Sequence, residues 1–131
     1  MSAELITAEL LNVAGVTALV STRIAFAQLP QNTAYPALVY DVIDDVPVLP
    51  INAAAGPQLM RSRVQVTALA KTLAECAAIQ VAVLAAMNLK SATYAGKVVS
   101  GSYEDIAGPR SRDNELGVWE SPKDFIFYWY R

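Results

Sequence analysis

The stretch Arg61-Ser62-Arg63-Val64-Gln65-Val66-Thr67-Ala68-Leu69 runs almost directly into Lys71-Thr72-Leu73-Ala74-Glu75-Cys76-Ala77-Ala78-Ile79, and the hydrophobic period changes between the two. The first segment alternates polar with apolar. This predicts a strand with one buried face, Val64, Val66 and Ala68 pointing in and Arg63, Gln65 and Thr67 pointing out. From Lys71 to Met87 the pattern predicts a helix, with Leu73, Cys76, Ala77, Leu84 and Met87 along its apolar face and alanine supplying propensity elsewhere. Asn88 is a suitable residue to end it.

Upstream, Ile6, Leu10 and Val13 recur at helical spacing and Glu4 sits where the helix dipole favours an anion, so residues 3–13 read as a helix. Val16 to Val20 predicts one more short helical turn. Arg23 to Ala27 reads as a short strand and Leu29-Pro30-Gln31-Asn32 as a turn. Tyr35 precedes Pro36 and is pushed out of the α region. Pro36 then opens the strand Ala37 to Ile43, whose nearly continuous apolar run suits cover on both faces. Asp44 to Gln58 contains Pro47, Pro50, Gly56 and Pro57, which excludes a helix or a central strand. Its Val46, Val48, Leu49 and Ile51 predict an extended arm or ragged hairpin packed on a neighbour.

Downstream, Lys97 to Ile106 reads as a strand and Ala107 to Ser121 as a loop. The closing segment Asp124 to Arg131 reads as a strand with Phe125, Phe127 and Trp129 on one face and Ile126, Tyr128 and Tyr130 on the other. Two helices cover one sheet face, and a neighbouring subunit or the arm covers the other. The expected fold is therefore α+β: a mostly antiparallel sheet with two main helices on one face and a long proline-rich arm, as one domain over residues 1–131.

Composition separates function classes. The chain has 131 residues, is 54% hydrophobic and 17% charged, and has a mean hydropathy of +0.32. Such an apolar balance fits either a membrane segment or a subunit that buries surface against partners. The best membrane candidate, Leu73 to Met87, is short and interrupted by Glu75 and Gln80. The N-terminal stretch carries Glu4 and Glu9 with no basic residue before Arg23, unlike a signal peptide. An oligomer is the remaining expectation. Net charge is −2 with no run of Lys and Arg, so the footprint of a nucleic-acid binder is missing.

The single thiol, Cys76, allows no intrachain disulfide and fits a reducing compartment such as bacterial cytoplasm. Histidine is absent, which removes the commonest general base and metal ligand. Cys76 reads as a small buried hydrophobe. The carboxylate pairs Asp44-Asp45 and Glu104-Asp105 lack a cleft or a ligand loop and read as solvated turn residues. No phosphate-binding, nucleophile-elbow or zinc motif occurs. Neither catalysis nor a cofactor nor a metal is expected. Arg61 and Arg63 read either as surface ion pairs or as a contact with acidic residues such as Asp44 or Glu115 of a neighbour.

One resemblance spans most of the chain. Val16-Thr17-Ala18-Leu19-Val20 followed by Arg23-Ile24, then Leu29-Pro30-Gln31, then Tyr35-Pro36-Ala37-Leu38-Val39-Tyr40, then Arg63-Val64-Gln65-Val66 leading into a helix, resembles the small tail-completion proteins of long-tailed bacteriophages and phage-derived particles, the tail-terminator or tail-to-head joining type. The resemblance implies a virion structural protein that forms a hexameric ring in the tail or neck, assembled in the host cytoplasm. It implies tail-tube and head-connector (stopper) partners, and DNA passing through the lumen without sequence-specific binding. Expected contact residues are Asp44, Asp45, Arg61, Arg63, Arg110, Arg112, Asp113, Glu115 and Trp119. Another neck or head-completion component is the alternative reading, and a small ligand-binding domain or enzyme a more distant one.

Overall fold

The computed structural model describes residues 2–48 and 58–131. The elements in chain order are α1 (Ala3–Leu11), α2 (Ala14–Val20), β1 (Ile24–Phe26), β2 (Ala37–Pro47), β3 (Leu59–Ala70), α3 (Leu73–Met87), β4 (Ala92–Tyr94), β5 (Lys97–Ala107), β6 (Ser111–Asp113) and β7 (Val118–Tyr130). The strands form one sheet in the order β1-β2-β3-β7-β5-β4, with β6 paired to β7. Only β1 and β2 run parallel; the other pairs are antiparallel. The α+β class with a mostly antiparallel sheet is as expected.

Period two holds along the whole of β3: Met60, Ser62, Val64, Val66, Ala68 and Ala70 are buried and their neighbours are not. The register carries this face across to Phe125, Phe127 and Trp129 of β7 and to Leu38 and Tyr40 of β2. These residues form one core with Ile6, Leu10 and Leu11 of α1, Val16 and Val20 of α2, and Cys76, Ile79, Val83 and Met87 of α3. The helices therefore lie together on one face of the sheet.

Thr72 starts α3 by accepting a hydrogen bond from the backbone N–H of Glu75 at 3.2 Å, which satisfies one of the free donors of the first turn. The buried face of α3 is Cys76, Ile79, Gln80, Val83, Ala86 and Met87. Ala77 is exposed and Leu73 and Leu84 are half-buried, contrary to the expected stripe. An alanine-rich helix is apolar nearly all round, so its pattern does not fix which side turns inward. Gln80 turns in because its Nε2 donates to the Val66 carbonyl at 3.2 Å and to the Ser121 carbonyl. At the N-terminus the helix ends at Leu11, and Val13, exposed, precedes α2 instead of extending the stripe of Ile6 and Leu10.

Two other expectations are corrected. Asp44 does not begin a connection: β2 continues to Pro47, with Asp44 opposite Arg63 and Pro47 opposite Met60, so the flanks of the arm form a hairpin with β3. Pro47 is accommodated because β1 reaches only as far as Tyr40, leaving this part of β2 at the sheet margin among the described residues. The arm's Leu49 and Ile51, with Pro50, Gly56 and Pro57, lie outside the described residues.

The segment 107–121 is not a plain loop, since β6 and the first turns of β7 form a hairpin. Pro122 then lies inside a central strand. Its carbonyl accepts from Gly108 N at 3.0 Å, so its nitrogen faces the gap between the end of β5 and the start of β6, where no ladder bond is lost. A further hairpin, β4–β5, turns through Ala95 and Gly96, both at positive φ (50° and 75°), as a two-residue turn matched to strand twist requires.

Candidate assembly surface

The sheet face opposite the helices is built by the odd-numbered residues of β3 and their partners. Arg63 stands between Asp44 on β2 and Ile126 on β7, with Tyr103 of β5 beyond. A bulge in β5 between Glu104 and Ile106 frees Asp105 to reach this face. Arg63 Nη1 lies 2.5 Å from Asp105 Oδ2 and 3.2 Å from Asp124 Oδ2, and Gln65 Nε2 donates to Asp124 Oδ1 at 3.2 Å. The bond to Asp105 holds the Arg63 guanidinium charged more firmly than usual. Asp105 and Glu104 are therefore strand residues with partners, not solvated turn residues. Glu104 faces Lys123 at 3.6 Å.

Asp44 and Asp45 are also strand residues. Asp44 Oδ1 is buried with no hydrogen-bond partner, beside an Arg63 already held by two other carboxylates. Asp45, on the helix side, accepts from Ser62 Oγ, which itself accepts from Trp129 Nε1 at 2.8 Å. Arg61 stands half-buried between Val46 and Tyr128. Of the sequence-predicted contact residues, Asp44, Arg61 and Arg63 thus share the helix-free face near the open side of β2, and Asp45 is next to them in the strand but on the helix side.

The remaining predicted residues lie elsewhere, at the β5–β6–β7 end. Arg110 and Glu115 are exposed, and Arg112 donates to Asn114 Oδ1 at 2.8 Å. Asp113 Oδ1 closes the hairpin turn by accepting from Glu115 N at 3.0 Å and Leu116 N at 3.2 Å. Trp119 is half-buried against the core, and its carbonyl lies 3.4 Å from Cys76 Sγ. Asp105, Asp124 and Ser62 were missed as site residues. The alternation that places Arg63 and Gln65 outward was legible, but the strand that would lie beside them was not.

The two lateral margins of the sheet differ. Along β5 the margin is closed: Leu89 N donates to Ser102 O at 2.8 Å, Lys90 N to Ser102 Oγ at 2.8 Å, and Glu104 N to Asn88 Oδ1 at 2.8 Å. On the side of β2 away from β3, no strand lies beside Asp41 to Pro47 among the described residues, and Ile43 and Val46 are 50% and 45% exposed. An open margin of this kind is a template for another chain.

Between α3 and the β5–β6 junction lies a groove of about 470 Å³, lined by Val81 and Leu84 of α3, by Pro122 and Lys123 of β7, and by Arg110. Gly108 forms part of its floor, and a Cβ there would stand 2.8 Å from Pro122 Cγ. Among the described residues no group of His, Cys, Asp or Glu could hold a metal, and no single helix is long and apolar enough to cross a membrane. Cys76 is buried, and that burial pushes its thiol pKa up, away from nucleophilic use.

The family model described as "Tail completion protein gp17" matches residues 4–118. No curated protein matches the chain. Among solved structures, a chain of the virion of a native gene transfer agent (GTA) particle is similar at a TM-score of 0.78 and 15% identity, over 98% of this chain and 97% of its own. A second solved protein, without a descriptive name, is similar at a TM-score of 0.58 and 17% identity, over 100% of this chain and 96% of its own.

Proposed function

This chain belongs to the tail completion protein gp17 family, and from that premise we infer that it is a structural protein of a phage-type virion, forming a ring of six that ends the tail tube and joins it to the head connector. The family match over residues 4–118 carries this reading. The molecule's surfaces support it. The margin along β5 is closed by the chain itself while that of β2 is open and carries exposed Ile43 and Val46, an asymmetry suited to a head-to-tail interface, and such interfaces form rings when the rotation between copies closes. The ring subunit acts by contact and not by catalysis: its thiol is buried, and the sequence has no histidine.

DNA passes the ring without being held. On the helix-free face Asp41, Asp44, Asp105, Glu120 and Asp124 outnumber Arg61 and Arg63, so phosphates meet no cationic track there. Its partners are then its own copies, the tail-tube protein and the connector or stopper, in a virion tail or neck assembled in the host cytoplasm.

The test adds purified protein to tail tubes that lack it, with imaging and native mass measured together. A ring at the head-proximal tube end, fixed tube length and a mass of about 85 kDa for six copies of 14.1 kDa are the expected results. Binding to head connectors with no affinity for tails makes it a different neck component instead. A monomer that binds neither overturns the reading.

A further inference from the structure

The open margin of β2 and the groove beside α3 have matching chemistry. The margin presents the exposed carboxylate Asp45, then Val46 and Val48, also exposed. The groove presents the exposed cation Arg110 and an apolar wall in which Val81 is 69% exposed. A carboxylate beside valines thus matches a cation beside apolar side chains.

The two surfaces of one chain are far apart. Val48 N donates to Leu59 O at one end of β3, whereas Pro122 stands opposite Thr67 near the other. Eight positions along a strand span about 26 Å, and β2 and β7 lie on opposite sides of β3. The complementarity is therefore available between copies, not within one.

We propose that the β2 side of the β2–β3 hairpin of one copy seats in the groove between α3 and the β5–β6 junction of the next, with Asp45 toward Arg110 and Val46 and Val48 against Val81 and Leu84. This contact, which rests on the ring reading above, is heterologous: each copy gives its hairpin to one neighbour and takes the hairpin of the other. It also covers the open margin of β2 and the apolar wall of α3 in a single step.

Thiol cross-linking tests it, because the only native cysteine is buried. Val46→Cys and Val81→Cys are both at exposed positions. The single variants and the double variant are each bound to tails lacking the protein and treated with a short bismaleimide. The expected result is a ladder of linked species for the double variant, linked dimers only for the mixture of the two single variants, and none for either single variant alone. Self-linking of the Val46→Cys variant means a two-fold contact and overturns the proposal. Capped tails with no cross-link overturn it while leaving the terminator role standing. Failure of the unsubstituted chain to cap tails removes the ring reading, and this contact with it.

Discussion

The indole of Trp129 donates to the hydroxyl of Ser62 at 2.8 Å, diagonally across the pairing of β7 with β3, and that hydroxyl donates in turn to Asp45 on β2. Three adjacent strands are thereby joined by side chains at the base of the hairpin. Ser62 is fully buried, so removing its oxygen leaves a buried N–H without an acceptor. Ser62→Ala is expected to cost about 1–3 kcal/mol. Urea unfolding followed by tryptophan fluorescence measures it as a lower midpoint at unchanged slope. An unchanged midpoint would show that the chain of bonds contributes nothing.

Arg63 separates Asp105 from Asp124 at the centre of the helix-free face. Arg63→Ala leaves carboxylates facing one another without their cation, and the midpoint is expected to fall. Adding Asp105→Asn to that variant should recover part of the loss, since it removes one of the uncompensated charges. A double variant no more stable than the single one refutes the pairing as the cause.

Thr72 caps α3, the helix that walls the proposed groove. Thr72→Ala is expected to cost about 1 kcal/mol, with Thr72→Ser close to the original. Thermal melts of the two variants side by side give the comparison.

Cys76 gives the protein a dependence on alkaline pH. Burial raises its thiol pKa above the ordinary value of 9.0, so near that pH the folded chain keeps a proton that the unfolded chain gives up. Its contribution is complete below the ordinary value and declines as pH rises above it. Tyr40, raised by burial and by Glu4, acts in the same sense above 10.0. Stability should therefore fall as pH rises above 9.0, and less steeply in Cys76→Ala. Equal slopes in the two proteins would exclude the thiol as the source.

Gly108 leaves room for Pro122 beneath the groove, where an added Cβ would lie 2.8 Å from the ring. Gly108→Ala is expected to cost about 1–3 kcal/mol by overpacking. A calorimetric melting temperature equal to that of the original chain would show that the junction yields without cost.

What the sequence by itself determined was local. Strand β3 was legible from its alternation, because period two is written into each successive pair of residues and one buried face follows directly. The helical character of 73–87 and the grouping of Phe125, Phe127 and Trp129 on one strand face were likewise legible from local periodicity, but not that this face turns inward. Tertiary structure decided everything that depends on which surfaces meet. It placed the last strand at the centre of the sheet, where Pro122 survives because a gap between two short partners lies beside its nitrogen. It chose which side of an almost uniformly apolar α3 turns inward, and Gln80 went with that side because two backbone carbonyls were there to receive it. It gave Arg63 its acids from β5 and β7, some forty and sixty positions down the chain. Periodicity encodes what a residue does to its immediate neighbours, whereas strand order, helix rotation and ion pairing follow from burying distant segments together.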